Sequence, residues 1–166
     1  MKKLWIALLL ICMLTGCGVQ ETFETVDDLY VVPASVAMGR LSLSLPEETT
    51  MQVMALSDEN RLYFCDGYTL VVQTMESGNL EETFRQTTGF SKEELIPIKT
   101  NHYGADRYDC VWMAAGEAGD QICRAAILDD GNYHYCVTVM APANTAGELT
   151  ETWNDLLNTL SIIRID

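Results

Sequence analysis

The first apolar stretch, residues 4–14, is unbroken (LWIALLLICML) and follows Lys2 and Lys3. After it the hydrophobic pattern shortens and begins to alternate. Residues 40–45 (RLSLSL) alternate polar and apolar up to Pro46, which predicts a half-buried strand. Residues 51–56 (MQVMAL), 61–65 (RLYFC) and 68–75 (YTLVVQTM) predict further strands. Asp66-Gly67 between the last two is a hairpin signal, so this half is expected to be an antiparallel meander. At 79–84 the period changes: Asn79 is an N-cap candidate, Glu81 and Glu82 follow, and Leu80 and Phe84 lie four apart, predicting a helix that stops near Gly89. Ser91 and Glu94 form a capping-box pattern before Leu95, enough for one helical turn. Strands return from Ile96. Residues 108–114, 121–128 and 133–141 predict two consecutive hairpins turning at 116–119 and 129–132. Their apolar residues occupy both parities, so the sheet is expected to be covered on both faces. Thr145 and Glu148 then read as a capping box, and Leu149, Trp153, Leu156, Leu157 and Leu160 share one helical face, which is expected to be core. Residues 161–165 end the chain as an extended tail.

The opening run has the form of an export signal: two lysines, an apolar segment and a small-residue junction, Leu14-Thr15-Gly16-Cys17. It is shorter than the roughly 20 apolar residues that span a bilayer. The junction resembles the lipobox of bacterial lipoproteins. By that resemblance Cys17 receives a diacylglyceryl group, cleavage follows Gly16, and Cys17 becomes the lipidated N-terminus. The expected organisation is residues 1–16 as signal peptide, 17–28 as lipidated start and acidic tether, and 29–166 as a single α+β domain. A single acyl chain binds a membrane only marginally, so a two-chain anchor is what holds such a domain durably. The expected location is the extracytoplasmic face of a bacterial cell membrane.

Charge narrows the partners. The chain carries 10 Lys and Arg against 24 Asp and Glu, a formal net charge of −14, and two of the lysines leave with the signal. Such a surface is repelled by phosphate backbones, which excludes nucleic acid, and gives no electrostatic help toward anionic lipid. Beyond Cys12 in the signal and Cys17 at the junction, the cysteines are Cys65, Cys110, Cys123 and Cys136. An even number in an exported domain permits disulfides, while their place inside apolar strand patterns equally suits buried thiols. If the second-last hairpin turns symmetrically about Gly116-Glu117, Cys110 and Cys123 face each other at a distance a disulfide accepts. That pair is the first expected to bond.

The order of elements, from LSLSLP through a meander, a middle helix and further strands to a long amphipathic helix running into LSIIRI, resembles the Mog1/PsbP-like fold. The resemblance covers about residues 41–165. It implies an antiparallel sheet flanked by helices as an α/β/α sandwich, and a non-catalytic binding or assembly-assisting domain with an envelope protein as possible partner and no cofactor. No functional residue of that family maps onto a position here. The chain has no G-x-S-x-G, H-E-x-x-H, P-loop or G-x-G-x-x-G motif. An alternative rests on His134-Tyr135-Cys136: the H-x-C spacing puts His134 and Cys136 on one strand face, where another cysteine nearby would make a metal site or a Cys–His pair in a ligand pocket. The commoner reading is an incidental histidine beside a buried thiol.

Overall fold

The structure is a computed structural model that describes residues 39–47, 49–57, 60–117 and 119–164, with the backbone alone for 51–57. The expected signal, Cys17, the expected tether and the expected start of the domain at residue 29 lie outside the described residues. Strand β1 (Arg40–Ser42) pairs antiparallel with the last strand, β9 (Ser161–Ile163), as a two-stranded sheet. The main sheet has seven antiparallel strands in the order β2-β3-β4-β8-β7-β6-β5. Its strands are β2 (Thr50–Ser57), β3 (Asn60–Cys65), β4 (Tyr68–Glu76), β5 (Ile98–His102), β6 (Ala105–Gly116), β7 (Gly119–Asp129) and β8 (Tyr133–Pro142).

The expected meander is β2-β3-β4, and the two consecutive hairpins are β6-β7-β8. The two halves join where β4 pairs with β8, Leu70 opposite Val139 and Val72 opposite Val137. At the β3–β4 turn, Gly67 takes φ +76°, the left-handed region that its missing Cβ permits. Between the halves lie α1 (Leu80–Thr88) and α2 (Lys92–Leu95). Asn79 caps α1 by accepting from the Glu81 amide at 3.0 Å, and Gly89 ends it at φ +82°. The Ser91–Glu94 capping box forms in both directions, at 3.2 and 2.7 Å.

Period-two alternation gives the sheet two apolar faces. On one, Tyr108, Cys110, Trp112, Cys123, Ala125, Ile127 and Cys136 pack under Phe84 of α1. On the other, Leu70, Ala126, Leu128, Tyr135, Val137 and Val139 pack under Trp153, Leu156, Leu157 and Leu160 of the C-terminal helix, α3 (Thr150–Asn158), and its end. Both faces carry helices, so the architecture is the expected sandwich. Buried Arg107 ties α3 to the sheet. Its guanidinium grips both carboxylate oxygens of Asp109 at 2.8 Å and donates to the Leu157 carbonyl at 2.9 Å, placing positive charge at the helix C-terminus. His102 Nε2 donates to the Leu160 carbonyl at 2.6 Å; a carbonyl only accepts, so this nitrogen carries a hydrogen.

Two expectations are corrected here. The Thr145–Glu148 capping box does not form: Thr145 Oγ1 bonds back to the Pro142 carbonyl at 3.2 Å, and a 3-10 turn (Ala146–Leu149) precedes α3. The β6–β7 register differs by two residues from a turn centred on Gly116-Glu117, because Gly116 pairs with Gly119. Cys110 therefore lies opposite Ala125, and Cys123 opposite Trp112. The two cysteines are diagonal neighbours on one face, about 7–8 Å apart in such a ladder, beyond the roughly 4.4–6.8 Å that a disulfide spans. Both are free thiols, as are Cys65 and Cys136.

Candidate functional site

The histidine that sequence singled out is in the core. His134 and Cys136 do share a strand face, and each is 1% exposed. Three side-chain oxygens approach the imidazole. Thr83 Oγ1 lies 2.6 Å from Nδ1, and on the Nε2 side lie Ser77 Oγ at 3.4 Å and Asp129 Oδ2 at 3.6 Å. These contacts satisfy a buried ring and tie β8 to α1 and the β4–α1 link. Burial pushes the Cys136 thiol up to about 12 and the Cys110 thiol up to about 11, so both stay protonated at neutral pH and offer no thiolate. Among the described residues no three His, Cys, Asp or Glu side chains converge as a metal site. Among the described residues, neither the cavity beside Val111 and Trp153 nor the one beside His102 and Arg164 is lined by His134 or a cysteine. The pair that sequence brings together is structural here.

The open site lies on the other face, toward the far end of the sheet. A cavity of about 300 Å³ sits between β6 and β7 below and the 3-10 turn and start of α3 above. Its floor is Val111, Ile122 and Arg124, where Val111 pairs with Arg124 and Met113 with Ile122 across the β6–β7 ladder. Trp153 forms a wall of the cavity, with Gly147 and Thr150 beside it. Gly147 leaves room, since a Cβ there would meet no atom within 4 Å. Arg124 Nη1 donates to Asn154 Oδ1 of α3, a neutral partner, and Arg124 makes no ion pair among the described residues. The Trp153 indole Nε1 is buried without an acceptor.

Sequence reading missed this site and took both faces of the hairpins as covered. Val111 is 58% exposed and Met113 57%. The α3 stripe packs over β4, β8 and β7, and the end of the helix reaches β6 at Arg107 and β5 at His102. Farther along β6, Val111 and Met113 stay uncovered. The apolar odd positions of β6 were the available signal, but they read equally well as core.

No known protein family and no curated protein matches the chain. Among solved structures, the cyanobacterial PsbP (CyanoP) of Synechocystis sp. PCC 6803 superposes with a TM-score of 0.54 at 9% identity, over 76% of this chain and 95% of that one. LpqN, involved in cell envelope biogenesis of Mycobacterium tuberculosis, gives 0.50 at 11% identity over 75% and 85%. A protein from Bacteroides thetaiotaomicron VPI-5482 gives 0.51 at 12% identity over 76% of this chain and 47% of its own length, so the chain spans about half of it. At these identities the likeness concerns the fold alone, and the fold of this chain is PsbP-like, an antiparallel sheet flanked by helices.

Proposed function

We propose that this chain is a lipid-anchored extracytoplasmic protein whose domain is a non-catalytic binding or assembly-assisting module of the bacterial envelope. The lipobox-like junction at Cys17 supports the anchor. The likeness in fold to LpqN, described as involved in cell envelope biogenesis, is in keeping with it. One observation carries the binding reading: Val111 and Met113, both more than half exposed, lie together beside an open, mostly apolar cavity. Large apolar side chains exposed together beside a concavity mark a recognition surface.

The test is site-specific photo-crosslinking in living cells. A crosslinking residue at Met113 is expected to give a discrete adduct, and one at Glu93, exposed on α2 over the opposite face, is not. Equal yields from both positions, or none from Met113, would remove the cleft as a recognition surface.

A further inference from the structure

We propose that the cleft between β6, β7 and the start of α3 binds a small hydrophobic monocarboxylate, its apolar body over Val111, Ile122 and Trp153 and its carboxylate on Arg124. This rests on the reading of the cleft as a binding site and adds the class of ligand.

The chemistry of the lining selects that class. Most of the lining is apolar, and Arg124 is its one charged side chain among the described residues. A guanidinium has five donors in a planar fork that matches a carboxylate. Among the described residues one of them is held by Asn154 and none by an acid. That bond orients the group and leaves its charge uncompensated at the edge of an apolar crevice, where desolvation makes an incoming anion valuable. No carboxylate of the described residues lines the cleft, so an ammonium headgroup would meet Arg124 with nothing there to offset the repulsion. One guanidinium in the lining matches one negative charge, the strongly acidic chain disfavours further ones, and most of the affinity is left to apolar burial. At about 300 Å³ the cavity sits at the small end of the range for ligand sites, roughly 300–1,000 Å³. A short acyl or aryl chain fits such a space.

Octanoate is the probe, with octylamine and octanol as the cationic and neutral comparators of matched length. The full chain is held in zwitterionic nanodiscs, and empty nanodiscs correct for partitioning. Binding is read from the Met113 methyl and Trp153 indole resonances. Octanoate is expected to shift both saturably, at a midpoint at least tenfold below those of octylamine and octanol. Arg124→Gln should erase that preference. Gly147→Leu, placed where a side chain meets open space, should abolish the shifts while the remaining spectrum stays native. Equal midpoints for the three probes, an unchanged octanoate midpoint in folded Arg124→Gln, or no saturable shift would overturn the proposal. Each of those results with a Met113-specific crosslink still in place would leave the recognition surface standing and reject only the carboxylate.

Discussion

Truncating Trp153 to alanine tests the packing of α3 on the sheet. The side chain is 3% exposed and meets Tyr68 edge-on, with ring centroids 6.2 Å apart. Burying about 200 Å² of tryptophan at about 25 cal/mol per Å² contributes roughly 5 kcal/mol, and core Trp-to-Ala changes cost about 3–5 kcal/mol. Two features lower the cost here. The indole N–H is buried without an acceptor, a penalty of about 1–2 kcal/mol that the truncation removes. The adjoining cleft also lets water enter the space left behind. The expected loss is therefore about 3 kcal/mol, or roughly 10 °C in the midpoint of thermal unfolding followed by circular dichroism. Trp153→Phe keeps an aromatic ring and discards the unmet donor, so it should cost less than about 1 kcal/mol. An alanine variant within about 1 kcal/mol of the parent would refute the packing argument. A phenylalanine variant as damaged as the alanine one would show that Nε1 has a partner.

Arg107→Met leaves Asp109 and the Leu157 carbonyl without their donor and should cost about 2–3 kcal/mol, with amide exchange speeding up first in the last turn of α3. The Cys136 and Cys110 thiols, raised by burial from 9.0 to about 12 and about 11, keep their protons in the folded chain at pH values where the unfolded chain loses them. Stability is thus full below about pH 9 and falls as pH rises toward about 12; Cys136→Ala should flatten that slope in a pH series of urea midpoints, and an unchanged slope would contradict the burial argument. Gly39→Ala places a Cβ 2.6 Å from Ile162 Cγ2 and 3.0 Å from the Tyr135 hydroxyl, which also accepts the Gly39 N–H at 2.9 Å. Overpacking of this kind costs about 1–3 kcal/mol, and hydrogen exchange should show it as earlier opening of the β1–β9 pair.

Much of the fold was legible because local signals agreed with the tertiary result. Asp66-Gly67 placed the β3–β4 hairpin, Asn79 and Gly89 bracketed α1, and Ser91 with Glu94 fixed α2. The leucine and tryptophan stripe of α3 could go nowhere but onto a sheet. Where signals were weaker, tertiary packing decided. The Glu148 N–H that the cap needs goes to the Thr145 carbonyl in the 3-10 turn instead, so the expected cap was lost and the helix began later. A two-residue difference in the β6–β7 register keeps every side chain on its face, so hydrophobic pattern alone could not exclude it; it was enough to separate Cys110 from Cys123. The β4–β8 junction joins segments distant in sequence and left no local trace. The cleft was least legible of all. Val111, Arg124 and Trp153 come from three elements, and an arginine within a strand pattern carries no mark that its neighbour will be an amide rather than an acid.

The anchoring proposed at Cys17 would place any binding at the membrane, and an intact-mass measurement of the mature protein from a membrane fraction tests it directly. The expected species begins at Cys17, carries a diacylglyceryl group there, and is lost from the membrane fraction or left as uncleaved precursor in Cys17→Ser. A mature protein with an unmodified Cys17, or a Cys17→Ser chain processed and retained like the parent, would contradict the lipid anchor and with it the placement of this domain at the membrane.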